Sequence, residues 1–309
     1  MGERQQQVLL GRLPVGPIER YAGSCPRFSE PKEVASFSRG ADRKIAFDRS
    51  ALRRFGAPRL PAALDEGFET YVAKSSGEEP APMGDLLAAI HHHGGHLHGE
   101  QHIVTYRNNL NKLLLTPFQP RDDWEIGVER RTIGGKACVV LHVRETSRKQ
   151  AEEANRDEQQ QRFCYWGYKF EDLCTTSHKS SSESCSGTSC ASHSNGTAAV
   201  LPAGPVDANC EFCCVLRLGL DRLRILMGAE MDCEVVESDE KPSYYIELKT
   251  NKLLRQPRER NTFERFKLLK FWLQSYLAGV RRIYVGFRDQ HGVVHQAETL
   301  PHNPPRTHP

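Results

Sequence analysis

Hydrophobic and polar positions alternate along residues 228–250, which read G-A-E-M-D-C-E-V-V, a polar turn, and S-Y-Y-I-E-L-K-T. The β-branched and aromatic positions predict two strands, and the K-P-S segment before the second strand favours a break between them. Side chains two residues apart share a face of a strand, so Glu230 falls beside Asp232 and Glu247 beside Lys249. If the two strands form a hairpin, three carboxylates and one ammonium converge on one spot.

The periodicity elsewhere predicts both helices and strands. Helices are predicted at 85–93 with Asp85 as the N-cap, at 102–119, at 148–174, and from an Asn261 N-cap to Gly279. Strands are predicted at 211–220, at 281–286, and in a hairpin over 126–143 that turns at Gly134-Gly135. Glu171 falls late in the helix at 148–174, where a carboxylate opposes the helix dipole, which indicates a partner from elsewhere in the fold.

The acid-x-acid and E-x-K pairs carry the clearest chemistry. Carboxylates gathered on one spot resist ionising together unless a cation lies between them. A hard divalent ion such as Mg²⁺ takes carboxylate oxygens, and Lys249 beside it can face a phosphate or help to activate water. The pattern therefore indicates a metal-dependent phosphodiesterase centre. The alternative interpretation is a solvated hairpin with alternating polar residues.

Composition places the chain among soluble globular proteins. Its 309 residues allow one large domain or two small ones, with 38% hydrophobic and 26% charged residues. No apolar run is long enough to span a membrane, and the N-terminus lacks the apolar core of a signal peptide. The ten cysteines are expected to be reduced thiols, and the net charge of +3 says little by itself.

Basic residues cluster locally between residues 251 and 272, where seven of them stand against two acidic residues. Lys267, Lys270 and Gln274 have the spacing of one helical stripe. A basic stripe just after the carboxylate–lysine pairs indicates a track for phosphates, and a solvated helix face is the alternative.

Two further clusters raise metal-binding alternatives. The six histidines between His91 and His102 have no cysteine or carboxylate at ligand spacing, so a polar helix end and loop are expected there. Cys210 and Cys213 form a C-x-x-C pair that, with Cys185 and Cys190, keeps a zinc site open as an alternative. The serine-rich stretch 175–204 is nearly free of apolar residues and predicts a disordered insertion within one domain.

Several blocks in order resemble the signature of the eukaryotic decapping exoribonuclease (DXO-type) family. They are G-Y-K-F-E at 167–171, G-A-E-M-D at 228–232, I-E-L-K at 246–249, L-K-F-W-L-Q-S-Y at 269–276, F-S-R-G-A-D-R at 37–43 and V-T-Y-R-N-N-L-N-K-L-L-L-T-P-F at 104–118. The expected organisation is a flexible lead 1–20, one nuclease-like domain 21–290 and a polar tail 291–309.

The resemblance implies a mixed α/β (α+β) fold, with two central mixed sheets flanked by helices around a D…E-x-K nuclease-like core. It implies Mg²⁺-dependent removal of incomplete, unmethylated or NAD-type caps from RNA 5′ ends and 5′-to-3′ degradation, in RNA quality control. Two Mg²⁺ ions are expected, with Mn²⁺ as a substitute. The implied partners are RNA with a 5′ phosphate or such a cap and a 5′–3′ exoribonuclease, without a membrane, and the expected location is the nucleus or cytoplasm.

Residue roles follow from the same resemblance, motif by motif. The metal-binding set is Glu171, Glu230, Asp232, Glu247 and the carbonyl of Leu248. The catalytic set is Glu230, Asp232, Glu247, Lys249 and Gln274. The substrate-binding set is Arg43, Tyr106, Arg107, Asn108 and Cys213, together with Glu230, Lys249 and Gln274.

The sequence departs from the family pattern in two ways. Family members continue well past the position of Phe287, whereas this chain ends in P-H-N-P-P-R-T-H-P, which implies a C-terminally shortened member. The acid that contacts substrate before the helix near Asp85 has no clear equivalent, although Glu78 and Glu79 lie nearby. These departures leave a second hypothesis, a catalytically impaired relative that binds RNA or stabilises a partner nuclease.

Overall fold

The computed structural model describes residues 16–74, 83–94, 101–119, 121–177, 204–238 and 240–301. The strands are β1 Phe28–Arg39, β2 Ile45–Ala46, β3 Arg53–Phe55, β4 Ala62–Ala63, β5 Ile103–Tyr106, β6 Glu125–Ile133, β7 Lys136–Arg144, β8 Thr175–Ser177, β9 Glu211–Leu220, β10 Leu223–Glu230, β11 Cys233–Val235, β12 Tyr244–Lys252, β13 Arg282–Arg288 and β14 Val293–Pro301. The α-helices are α1 Gly84–His92, α2 Arg107–Leu115, α3 Ser147–Ala154, α4 Glu158–Leu173, α5 Pro257–Thr262 and α6 Leu269–Ala278. A π-helical turn, Phe263–Leu268, joins α5 to α6.

These strands form two seven-stranded mixed sheets. The first has the order β2-β1-β9-β10-β5-β7-β6, and the second has the order β4-β14-β13-β12-β11-β3-β8. In the first sheet β10 pairs antiparallel with β9 and parallel with β5. In the second, β12 pairs antiparallel with β11 and parallel with β13. The chain passes directly from the first sheet to the second between β10 and β11, so the two sheets meet at residues 230–233.

Helices cover the sheets and fill the space between them. Leu273 and Leu277 of α6 pack with Ile225 of β10 on one face of the first sheet, and α1 packs on its other face. Helix α4 places Trp166 and Phe170 against the second sheet. Phe271 of α6 packs on buried residues of β13, so α6 contacts both sheets. The mixed α/β fold with two sheets and flanking helices is therefore confirmed.

Several elements follow the sequence closely. The hairpin of β6 and β7 turns at Gly134 and Gly135, both with positive φ. Strands β9 and β13 occupy the predicted positions, and α6 ends at Gly279, whose φ of 70° is the left-handed conformation that glycine adopts readily. No helix in the described part of the chain is long and apolar enough to cross a membrane.

Four local predictions were wrong. The segment predicted as one helix at 102–119 is strand β5 followed by α2, because I-V-T-Y pairs with both β10 and β7. The helix predicted at 148–174 is two helices, since Asp157 and Gln160 form a capping box that starts α4. Helix α5 begins at Pro257 with Gln256 as N-cap, not at Asn261. Asp85 caps nothing; its carboxylate accepts hydrogen bonds from Arg39.

The ends and the insertion are described only in part. Residues 1–15, 178–203 and 302–309 lie outside the described residues, and with them most of the predicted lead and insertion. Thr175–Ser177 forms β8, so the first three residues of the predicted insertion belong to the second sheet. Val293–Pro301 forms β14, paired with β13 and β4, so the predicted polar tail cannot begin at residue 291.

Candidate active site

The acidic residues gather where the chain crosses between the sheets. Glu230 is the last residue of β10, and Asp232 immediately precedes β11. The two acids were predicted to share one strand, but they lie on either side of a sheet-to-sheet crossing. Asp232 Oδ2 accepts a 2.6 Å hydrogen bond from the backbone N–H of Leu248 on β12. That bond fixes the Asp232 carboxylate beside the neighbouring residues of β12, Glu247 and Lys249.

Glu247 lies at the centre of this group, with 1% of its side chain exposed. Its Oε1 accepts a 2.5 Å hydrogen bond from Lys249 Nζ and a further bond from the side-chain amide of Gln274 on α6. Lys249 Nζ also lies 3.8 Å from Asp232 Oδ2. The predicted hairpin of β11 and β12 is confirmed, and it brings Asp232, Glu247 and Lys249 together.

Arg107, the first residue of α2, ties the segments of the site to one another. Its guanidinium donates to Glu247 Oε2 at 3.2 Å, to the backbone carbonyl of Glu230 at 2.9 Å and to that of Gln274 at 3.4 Å. The side chain is 8% exposed. Charge-assisted bonds of this kind are stronger than neutral ones, and a buried guanidinium with one partner removed is costly. Arg107 therefore holds β10, β12 and α6 in place.

The pKa values of three of the acids are raised by desolvation and by mutual repulsion. Glu230 faces the cavity, but protein atoms closely surround its carboxylate. The resulting desolvation and the nearby Glu211 carboxylate raise the pKa of Glu230 to about 7. Desolvation, together with Glu247, raises the pKa of Asp232 to about 6. The pKa of Glu171 is raised well above its usual value by burial and by Asp232.

Glu247 and Lys249, unlike the other three acids, have pKa values shifted so that their charged forms are favoured. Burial would raise the pKa of Glu247, but Lys249 and Arg107 outweigh it and hold that pKa below its usual value. Burial would lower the pKa of Lys249, but Glu247 and Asp232 raise it. The Glu247–Lys249 pair is therefore stable in its charged form, while at Glu171, Glu230 and Asp232 the nearby cations do not offset desolvation and repulsion.

The donor set suits a hard divalent cation in type and charge. Glu171 from α4 contributes to the electrostatic repulsion at Asp232 and Glu230, which places it at the same site. Carboxylate oxygens are the ligands that Mg²⁺ and Ca²⁺ prefer, and a cation would relieve that repulsion. Within the described ranges, however, no three Asp, Glu, His or Cys side chains are already arranged to hold a metal. Glu247 Oε1 already accepts bonds from Lys249 and Gln274, so an ion that used this oxygen would compete with them.

A cavity of about 620 Å³ opens above the acids. Most of the predicted substrate-binding residues line it, namely Arg43, Tyr106, Arg107, Asn108, Cys213, Glu230 and Gln274. Arg43 has a φ of 60° and donates a 3.5 Å bond to Asn209. Cys213 pairs across the first sheet with Glu230, and burial raises the pKa of its thiol. The structure thus brings these residues together around one cavity.

Four charged residues of the same cavity were missed by the sequence analysis. Arg39, at the end of β1, donates to both Asp85 and Glu211, with 3.1 Å between Arg39 Nε and Asp85 Oδ2. Lys74 donates to Glu211 as well. Arg39 stands inside the F-S-R-G-A-D-R block, which was the available signal, but its partners come from α1 and β9. Asp85 thus supplies an acid at this wall of the cavity.

The predicted basic stripe is only partly realised. Lys267 donates to Asn251 at 2.9 Å, and Lys270 lies 3.5 Å from Asp122. The π-helical turn between α5 and α6 changes the number of residues per turn, so regular α-helical spacing does not hold through Lys267. Only Gln274 of the stripe contacts the acidic group.

The alternative metal clusters find no support in the described part of the chain. Cys210 is exposed while Cys213 is buried, and no group of three suitable ligands includes either residue. Cys185, Cys190, His96 and His98 lie outside the described residues. His92 stacks on Phe47 with ring centroids 4.0 Å apart, which is a packing contact.

Known proteins match the chain over most of its length. A family model described as RAI1 like PD-(D/E)XK nuclease matches residues 29–303. The decapping nuclease RAI1 of Aspergillus fumigatus is 33% identical over 300 residues, which cover 94% of this chain and 78% of that protein. The human decapping and exoribonuclease protein is 31% identical, covering 94% of this chain and 70% of its own length.

Solved structures give the same fold. Schizosaccharomyces pombe Rai1 in complex with 3′-FADP superposes with a TM-score of 0.69 and 26% identity, covering 91% of this chain and 77% of that one. Candida albicans Rai1 in complex with pU5-Mn²⁺ gives a TM-score of 0.72 at 21% identity, covering 93% of this chain and 78% of that one. The resemblance inferred from the sequence blocks is confirmed, and the chain belongs to the RAI1-like PD-(D/E)XK nuclease family.

Proposed function

We propose that the protein is a Mg²⁺-dependent hydrolase that removes incomplete, unmethylated or NAD-type caps from RNA 5′ ends and degrades RNA in the 5′-to-3′ direction. The observation that carries this proposal is the meeting of Glu171, Glu230, Asp232 and Glu247 with Lys249 beneath the cavity of about 620 Å³. Three of these acids, Glu171, Glu230 and Asp232, have raised pKa values, as expected where a divalent cation would offset their negative charge.

The names of the relatives support the same substrate class. The fungal relatives are decapping nucleases, and the human relative is a decapping and exoribonuclease protein. The S. pombe protein was crystallised with 3′-FADP and the C. albicans protein with pU5 and Mn²⁺. A dinucleotide and a 5′-phosphorylated oligonucleotide are the two ligand types that a decapping exonuclease must accept.

The side chains present have distinct tasks in such a reaction. Glu171, Glu230, Asp232, Glu247 and the carbonyl of Leu248 would hold the metal, with two ions expected. Bound Mg²⁺ would supply charge stabilisation to the transferred phosphoryl group and lower the pKa of a water. Lys249 keeps its proton because Glu247 and Asp232 raise its pKa, so it offers a positive charge to the scissile phosphate.

Positioning falls to the residues around the acids. The amide of Gln274 bonds Glu247 and borders the cavity, where it can orient a water or a phosphate oxygen. Arg107 is mainly committed to Glu247 and to two backbone carbonyls, so its principal effect is to preorganise the acids. Arg43, Tyr106, Asn108 and Cys213 form the walls that would contact the 5′-terminal nucleotide.

The proposal extends to the setting of the reaction. RNA substrates of this kind support a location in the nucleus or cytoplasm, and a 5′–3′ exoribonuclease that consumes the 5′-monophosphate product is the proposed partner. Mg²⁺ is the proposed ion, with Mn²⁺ as a substitute, because both suit oxygen ligands.

The decisive experiment is Mg²⁺-dependent release of NAD or a cap dinucleotide from 5′-modified RNA. Wild type is compared with Glu230→Ala/Asp232→Ala, and Glu237→Ala serves as a control because Glu237 pairs with Lys241 away from the acids. Activity in wild type and the control, with loss of at least 100-fold in the double variant, is the expected result. Equal rates in all three, or no activity in folded wild type, would refute hydrolysis; RNA binding without turnover would favour the impaired-relative hypothesis.

A further inference from the structure

A second cleft leaves the active-site cavity between α2 and α6. It has a volume of about 250 Å³ and shares Asn108, Asn111 and Gln274 with the main cavity. Gln274 also bonds Glu247, so any strand that leaves the acids past Gln274 enters this cleft. The cleft is therefore continuous with the catalytic group, whereas Arg39, Asp85 and Glu211 line the main cavity and not the cleft.

The walls of the cleft carry cations and one aromatic ring. Lys112, Lys149 and Lys270 line it together with Trp124. Lys112 is bound to Glu145 at 2.9 Å, and Lys270 lies 3.5 Å from Asp122 in an exposed pair that contributes little and can exchange partners. Lys149 is half-buried and forms no ion pair with any residue that the structure describes. Lysines beside an aromatic side chain are the surface that single-stranded nucleic acids require.

Asn111 stands where the cleft meets the cavity, and its Oδ1 is buried without a hydrogen-bond partner among the described residues. A buried acceptor usually has a partner, and a ligand that donates a hydrogen bond reaches Asn111 Oδ1 once the amide turns into the cleft. The ribose 2′-hydroxyl of RNA is such a donor, and DNA lacks it. Asn111 is thus the side chain of the cleft that can distinguish RNA from DNA after its amide turns.

We propose that this cleft binds the RNA strand on the 3′ side of the scissile phosphate. Lys149 and Lys270 contact backbone phosphates, Trp124 offers its ring to a base, and Asn111 accepts a hydrogen bond from a ribose 2′-hydroxyl. The choice of RNA as ligand rests on the proposed function. The cleft thereby separates the RNA body from the 5′-terminal nucleotide in the larger cavity, and it selects ribose over deoxyribose without reading sequence.

Fluorescence anisotropy in EDTA tests the cleft without requiring turnover. The probes are 5′-phosphorylated, 3′-labelled oligouridylates of two, four and eight nucleotides and the matching deoxy-oligonucleotides. In wild type, affinity is expected to rise with length and to favour RNA by about three- to tenfold, the effect of one hydrogen bond. Lys149→Ala/Lys270→Ala is expected to weaken eight-nucleotide binding by about tenfold and to make its salt dependence shallower.

The controls separate the cleft from general charge and from hydrolysis. Lys252→Ala/Lys241→Ala removes two exposed lysines that pair with Glu259 and Glu237 outside the cleft, and it should retain the length dependence. Asn111→Ala is expected to lower the RNA-to-DNA preference. Length-independent binding in wild type, unaltered binding by the cleft variant, or an unchanged preference in Asn111→Ala would overturn the proposal.

Hydrolysis and binding can fail separately. If the protein hydrolyses capped RNA but its affinity does not depend on oligonucleotide length, the cleft proposal is overturned and the proposed function stands. Length-dependent binding without hydrolysis in Mg²⁺ overturns the proposed function and supports the cleft. Oligoglutamate is not expected to compete with the eight-nucleotide RNA; competition at comparable affinity would assign the cleft to an acidic protein partner and overturn RNA binding.

Discussion

Replacing Asp232 by Asn is expected to stabilise the metal-free protein and to remove most of its stabilisation by metal. The carboxylate is largely buried, with 9% of its side chain exposed, and its pKa rises from 3.8 to about 6. A rise of this size corresponds to about 3 kcal/mol of free energy against the charged form at neutral pH. An amide avoids that cost and can still accept the Leu248 N–H bond, so a gain of about 1–3 kcal/mol in unfolding free energy is expected.

The sign of the pH dependence follows from the same shift. Because the pKa of Asp232 is raised in the folded state, the destabilisation by its charge is fully present above pH 6. It is relieved as the pH falls through about 6 towards 3.8 and the folded carboxyl takes up a proton. The stability difference between Asp232→Asn and wild type in EDTA should therefore shrink over that range.

Thermal unfolding with and without divalent ions measures both effects. In EDTA at neutral pH the variant should unfold about 2–6 °C above wild type, taking about 2 °C per kcal/mol for a chain of this size. Wild type should gain about 2.7 kcal/mol when Mg²⁺ or Mn²⁺ reaches 100 times its dissociation constant, and the variant much less.

Asp172→Asn is the matched control for this prediction. Asp172 is also buried on α4, but it pairs with Arg53 and Lys169 rather than with the acids. Its replacement should lower the unfolding free energy in EDTA, because a buried ion pair loses its carboxylate. The stabilisation by added metal should be unchanged. Unfolding of Asp232→Asn below wild type in EDTA, or an undiminished metal response, would refute the reasoning about unbalanced acids.

Three other outcomes are expected. Arg107→Lys should lower the decapping rate by at least about tenfold in steady-state assays, because an ammonium cannot serve Glu247 and two carbonyls together. Gly228→Ala should destabilise the fold by about 1–3 kcal/mol in urea titration, since its Cβ would lie 2.8 Å from the ring of Tyr106. Mn²⁺ affinity measured by calorimetry should fall as the pH drops below about 7, because protonated Glu230 is a poor ligand; a pH-independent affinity would contradict this.

The sequence by itself determined the features that arise from neighbouring residues. Alternation along β12 places Glu247 and Lys249 on one face, and the structure has them in contact at 2.5 Å. Gly279 ends α6 because glycine readily adopts a positive φ, and Gly134 and Gly135 turn the β6–β7 hairpin for the same reason. The ordered sequence blocks also identified the family, because several motifs in series are far more specific than one.

Features that depend on distant segments could not be obtained in this way. Asp85 has the residue type of a helix cap, yet its carboxylate accepts hydrogen bonds from Arg39, which lies 46 residues earlier. Glu230 and Asp232 have the spacing of one strand, but the chain leaves the first sheet between them. From the sequence, Arg107 resembles a surface residue. In the structure, its position at the start of α2 lets it donate to Glu247 and to the carbonyl of Gln274, 167 residues away.

The tertiary structure alone decided how the charges are balanced. The spacing predicted that three carboxylates and one lysine would meet. It did not predict that Lys249 and Arg107 would both pair with Glu247, or that Glu171 and Asp232 would repel each other. The physical reason is that the free energy of a buried charge depends on its distances to other charges and on burial, both set by packing between the two sheets. Local sequence fixes which residues share a face; the meeting of the sheets decides which of them need a metal.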